Sequence, residues 1–272
     1  MLLSLRKAIY GMFVGVVLVS QVAVGNQSEL RVMSPPDFPS ELADLEALHD
    51  AGRYREAYEK ALQRKDAWGY ILASYSATNY ARYQAQEAER QDWFRRAADA
   101  AREAIKLAPQ EKRRASFEVS AEAKAYFALG QALGRYVQYA GLFTQALLVN
   151  QIRSAFSKSI ELAPHFPDPY IGMALWHAEG VSRNICLIFG CRREQVRVFL
   201  DKAESLRSNS KRVILGYVDG GYANLLIGDF QESDRGLKTA LATPANTAED
   251  HYEHERARRL LQELDRKRGA GK

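Results

Sequence analysis

The chain has 272 residues, 47% of them hydrophobic and 26% charged, with only 8 prolines, enough apolar material for a core in one or two domains. Disorder as its main state is excluded, and with 2 cysteines so is a disulfide scaffold. A net charge of +5 is too small over this length to argue for a nucleic-acid partner.

The first 25 residues place Arg6 and Lys7 ahead of an uncharged stretch from Ala8 to Gly25. This is the layout of a secretory signal peptide, and the small residues Ala23 and Gly25 suit cleavage before Asn26. The other reading is an uncleaved membrane anchor, since the stretch approaches the ~20 residues that span a bilayer. Both put the remainder outside the cytoplasm, and the expected address is the periplasm. Removing Arg6 and Lys7 leaves +3, so basicity carries no functional message. Residues 26–40 read as a linker, because the prolines of Ser34 to Pro39 (SPPDFP) disfavour helix in the residues before them.

Everything beyond reads as helix. The stretches 41–63, 68–87, 91–107, 117–140, 145–162, 168–180, 193–206, 211–227, 230–242 and 247–268 are rich in Ala, Leu, Arg and Glu, with apolar residues three and four apart. No run alternates with period two. The expected class is all-α.

The helices repeat. Ala97, Ala101, Ala104 and Pro109 follow one another at intervals of four, three and five, and Ile152, Phe156, Ser159 and Pro164 copy those intervals. Val196, Leu200, Ala203 and Ser208 make a third copy, and Ser233, Leu237, Ala240 and Pro244 a fourth with its proline one residue early. Small residues let one helix press on its neighbour, a bulky one fills the gap, and proline stops the helix. The helix before each copy carries related residues: Tyr126, Leu129 and Gly130; Tyr170, Met173 and Ala174; Tyr217 and Gly221. GlyArgTyr at 52–54 and GlyAspPhe at 228–230 read as turns between paired helices.

In these residues the sequence resembles the tetratricopeptide repeat family, whose pattern runs aromatic, Leu-Gly, Ala, aromatic, Ala, Pro. The resemblance implies a superhelical stack of antiparallel helix pairs over 41–246, with 247–272 as a C-terminal capping helix and basic tail. The chain departs from the pattern in two consecutive repeats. Gly130 to Ile152 and Ala174 to Val196 both span 22 residues, roughly ten more than the repeat needs. The inserts, YVQYAGLFTQALLVN and VSRNICLIFGC, are apolar, so they are expected to lengthen the first helices or to pack over an opening. In general layout such an exported repeat protein also resembles the periplasmic component associated with TRAP transporters.

Cys186 and Cys191 lie in the second insert. In an exported chain they are expected to bond, with Gly190 permitting the turn; free buried thiols and a redox pair are the alternatives, the latter lacking the two-residue spacing of redox motifs. Catalytic and metal-binding residues are not expected. His251 and His254 sit on a highly charged helix and read as a solvated face. His177 and Glu179 lack an accompanying nucleophile or phosphate loop, and Gly220 and Gly221 read as close helix contact because no strand precedes them.

A stacked helical repeat binds on the concave face of its first helices. The family register puts Lys124, Phe127, Gln131 and Arg135 there, then Asp168, Ile171, Leu175 and Glu179, then Leu215, Val218, Tyr222 and Leu225. Tyr70, Tyr75, Tyr80 and Tyr83 extend that face or pack between helices. The expected function is a periplasmic scaffold binding a protein or peptide partner, with no cofactor, no nucleic acid, and a membrane contact only through an uncleaved N-terminal segment. The competing reading is a carrier of an apolar small ligand or lipid, serving a transporter, whose inserts close a cavity; an open groove favours the scaffold and an enclosed cavity the carrier.

Overall fold

The computed structural model describes residues 38–111 and 119–270. The expected signal peptide and most of the expected linker lie outside the described residues. At its end the linker already belongs to the core: Phe38 is buried, edge-on to Trp68 and Tyr75 with ring centres 6.3 and 5.8 Å away.

Among the described residues the protein is all-α, with twelve helices and no strand. They are α1 (Ala43–Asp50), α2 (Tyr54–Leu62), α3 (Ala67–Tyr83), α4 (Glu87–Leu107), α5 (Ala121–Tyr136), α6 (Leu142–Leu162), α7 (Asp168–Ser182), α8 (Cys186–Phe189), α9 (Arg193–Ser205), α10 (Val213–Leu226), α11 (Phe230–Ala242) and α12 (Ala248–Ala270). The expected helical stretch 41–63 is two helices that meet at the expected turn, at Gly52, whose φ of 78° is open to glycine at little cost. Gly228, with φ 77°, makes the matching turn between α10 and α11. Helix α8 falls within the second insert, where no helix is expected from the sequence.

The repeated residues explain the packing. Ala97, Ala101, Ala104, Ser159, Val196, Ala203, Ser233, Leu237 and Ala240 are at most 1% exposed. Helices α4, α6 and α11 end at Leu107, Leu162 and Ala242, each two residues before its proline. The bulky position of the second copy, Phe156, fits spaces left by glycine. A Cβ at Gly130 on α5 or at Gly172 on α7 would stand 2.6 Å from its ring. Gly221 on α10 likewise admits Leu237 of α11, where a Cβ would stand 2.8 Å from Cγ.

Helices α3, α5, α7, α10 and α12 touch in succession, while α4, α6, α9 and α11 form a second row, each bridging two of the first. The first row closes on itself. Tyr83 of α3 stacks on Tyr252 of α12 at 4.6 Å, and Arg82 and the Tyr83 hydroxyl both donate to Glu253 Oε1, at 2.5 and 2.6 Å. Helix α12 is thus more than a cap on the last pair, because its charged face is turned inward: Glu249 and Glu253 are buried and Arg256 nearly so. Of the two histidines expected on a solvated face, His251 is exposed, whereas His254 packs with Nε2 2.9 Å from the Ala240 carbonyl.

Candidate ligand-binding cavity

Helices α5, α7 and α10 line a partly open cavity of about 460 Å³. Its α5 wall carries Phe127, Gly130, Gln131, Gly134 and Arg135, a three-and-four spacing that keeps one helix face on the cavity. From α7 come Asp168, Ile171, Gly172, Leu175, Trp176, Glu179 and Gly180, with Arg183 just after it, and from the third helix Leu215, Gly216, Asp219 and Tyr222, with Arg212 just before it.

Both inserts complete the walls. Val137, Gln138, Gln145, Ala146 and Val149 come from the first and Ile185, Phe189 and Cys191 from the second. Each is tied to α7. The Trp176 indole Nε1 donates to the Val149 carbonyl at 2.9 Å, and the backbone N–H of Arg192 donates to His177 Nδ1 at 2.9 Å. The bonded ring nitrogen requires neutral histidine. Burial first, and then the nearby Arg153 charge, push the His177 pKa down to about 4. The second insert is also crosslinked, Cys186 to Cys191, around Gly190 in the left-handed conformation at φ 73°. Gly180 makes room for that bridge, since a Cβ there would stand 2.5 Å from Cys191 Sγ.

Most of the cavity wall is apolar, and several of its polar groups belong to a charged cluster. Four guanidiniums and their acids form a connected cluster contributed by α3, α5, α10 and α12. Arg212 donates twice to Glu249, at 3.1 and 2.6 Å. Arg256 Nη1 lies between Asp219 at 2.5 Å and Glu253 at 3.0 Å, and Arg82 holds Glu253 from the far side. Burial alone would raise the Glu249 carboxyl, but Arg212 and then Arg82 hold it down at about 2. Asp219 is likewise held low against its burial by Arg256, Arg135 and Arg82. Arg135 fares differently. Its closest acid is Asp219 at 3.7 Å, and burial followed by the charge of Arg82 lowers its pKa to about 10. At the cavity edge Glu179 accepts from the Tyr222 hydroxyl and from Arg183 Nε, both at 3.1 Å. Burial and then Glu179 push Tyr222 up to about 12.

Of the residues placed by sequence on one concave face, Phe127, Gln131, Arg135, Asp168, Ile171, Leu175, Glu179, Leu215 and Tyr222 all line this cavity. Lys124 does not. It is buried one turn before Phe127, with Nζ 5.7 Å from the Phe38 ring centre and 5.6 Å from that of Phe166. Val218 and Leu225 are also turned away, into the core that α10 shares with α11 and α12. The four tyrosines pack between helices: Tyr75 lies against Phe127, Tyr80 against Trp93, Tyr83 against Tyr252, and Tyr70 is half-buried against the core. Sequence reasoning missed Trp176, Asp219 and Arg212. The first two were reachable, since Trp176 is four residues from Gly172, and Asp219 four from Leu215. Arg212 precedes its helix, where no periodicity marks it.

No protein-family model matches the chain, and no curated protein sequence matches it. Among the described residues no group of His, Cys, Asp or Glu is arranged to hold a metal ion, and no helix is long and apolar enough to cross a membrane.

Proposed function

We propose that the chain is an exported, tetratricopeptide-repeat-like helical protein that holds a small molecule with an apolar body in this cavity. The observation that carries the reading is that both apolar inserts wall the same space. They lie at equivalent places in consecutive repeats and would be idle on an open groove. A volume of about 460 Å³ falls within the range of roughly 300–1,000 Å³ usual for small-molecule sites, and mostly apolar walls with a few polar groups are the usual make-up of such sites. The role is binding without catalysis, since the wall's acids Asp168, Asp219 and Glu179 are each hydrogen-bonded to neighbouring side chains. Export through residues 1–25 and delivery of the cargo to a transporter belong to the same reading.

Native mass spectrometry of the full chain, purified from the cell envelope of its own organism, tests it. A discrete mass increment that is released on denaturation is expected, and Ile171→Asp should remove it by placing a carboxylate in the apolar wall. Protein without any increment, still unable to bind apolar probes, would count against the reading. A protein or peptide scaffold is the second reading, supported by Leu187 and Ile188, which stand 103% and 78% exposed on the crosslinked turn.

A further inference from the structure

The charges of the cluster beside the cavity do not balance in reach. Asp219, Glu249 and Glu253 are the carboxylates bonded to arginine in the cluster, and they serve Arg82, Arg212 and Arg256. Arg135 is the fourth guanidinium. Asp219, at 3.7 Å, is beyond hydrogen-bond range and already holds Arg256 at 2.5 Å. Among the described residues the Arg135 guanidinium makes no hydrogen bond, although its side chain is only 23% exposed and faces a largely apolar cavity. One turn back on the same face, Gln131 presents a buried Oε1 without a hydrogen-bond partner. Arg82 and Arg212 each keep one buried Nη1 without a hydrogen bond, whereas the Arg135 donors are reachable from the cavity and can be given to an acceptor placed there.

Resting on the small-molecule reading above, we infer that the cavity takes an amphipathic monocarboxylate, with its carboxylate on Arg135 and Gln131 and its apolar body among Phe127, Phe156, Ile171, Leu175 and Trp176. The planar guanidinium matches a carboxylate with two parallel N–H donors. Gln131 carries two amide N–H donors and lines the cavity one turn back on the same helix, so its side chain can donate as well. Burial and then the charge of Arg82 disfavour the Arg135 cation, and an anion bound beside it would offset both. A second negative charge is disfavoured, because Asp168, Asp219 and Glu179 also face the cavity. An ammonium head would have to compete with Ser210 for Asp168, and with Tyr222 and Arg183 for Glu179.

Isothermal titration of the full chain with decanoate, decanol and decylamine separates head from body, since the three share one apolar chain. Decanoate should bind about tenfold or more tightly than the other two, the usual worth of a charge-assisted hydrogen bond. Arg135→Gln should abolish that preference while leaving decanol affinity within about twofold of wild type. Gln131→Leu provides a second variant, expected to reduce the preference without touching the ion pairs. Decanol binding as tightly as decanoate to the wild-type chain, or a preference that survives Arg135→Gln, overturns the head-group assignment and leaves the cavity reading standing. Failure of all three ligands to bind overturns both.

Discussion

In the apolar contacts around the cavity the chain fits side chains into spaces left by glycine, whereas in the charged cluster it fits charges to one another across long stretches of sequence. Phe156 on α6 enters between Gly130 and Gly172, all within 42 residues of chain. Arg82 and Glu253 meet from 171 residues apart. The first kind of contact follows from local periodicity and tolerates no added volume. The second depends on the closure of the helix row by α12, and it leaves a charge facing the cavity. On the proposed reading, the apolar contacts give the cavity its shape and the charged cluster its selectivity.

The largest effect should come from breaking the charged cluster. Glu253→Ala leaves Arg82 and Arg256 without one of their acids in a buried setting, which should cost about 3–5 kcal/mol in denaturant unfolding. A loss below about 1 kcal/mol, the range of a surface pair, would mean that α12 does not close the row. Among the apolar contacts, Gly172→Ala puts a methyl group against a ring already held by Gly130 on its other side. Overpacking of that kind should cost about 1–3 kcal/mol, and pairing it with Phe156→Leu in a double-mutant cycle should recover part of the loss.

The second insert offers a pH test of how the wall is held. His177 has an ordinary pKa of 6.5 when unfolded and about 4 when folded. Between those values the unfolded chain binds the extra proton, so stability should fall as pH is lowered through that window, by up to about 1.4 kcal/mol per unit. Glu249, held at about 2, adds its own loss only below its ordinary value of 4.5. His177→Gln keeps an acceptor for the Arg192 N–H without a titrating proton, and its stability should be flatter from pH 6.5 to 4.5. Identical slopes in both proteins would remove His177 from this role. The smallest effect is expected at Gly134, which lines the cavity with nothing within 4 Å of a Cβ built there. Gly134→Ala should raise stability by about 0.5–1 kcal/mol, because the helix gains propensity without a clash.

How much of this was legible follows from the same contrast. The intervals through Ala97, Phe156, Val196 and Leu237 are local, and they told which helix faces are buried. The register through Phe127, Arg135, Ile171 and Tyr222 is also local, so it identified one wall. Lys124 misled because it lies one turn before Phe127 in a near-helical register, while its long stem lets the ammonium tuck between Phe38 and Phe166. The inward turn of Glu249, Glu253 and Arg256 was illegible: charged residues at helical spacing read as a solvated face until the partners, Arg82, Arg212 and Asp219, are brought to them by the fold. The break at Gly52 was marked in the sequence by its own turn motif, which outweighed the helical composition around it.

The central claim is that the cavity between α5, α7 and α10 is the binding site, and Gly134→Phe tests it most directly. The ring would grow from a position that touches nothing else and would occupy the space between Gln131 and Gln138. Titration of wild-type and variant chains with the fluorescent apolar probe N-phenylnaphthylamine, alongside thermal unfolding, gives both readouts. The account predicts saturable one-to-one binding to the wild type, lost in Gly134→Phe while the melting temperature is unchanged or higher. Equal affinity in a variant that melts like the wild type would contradict it.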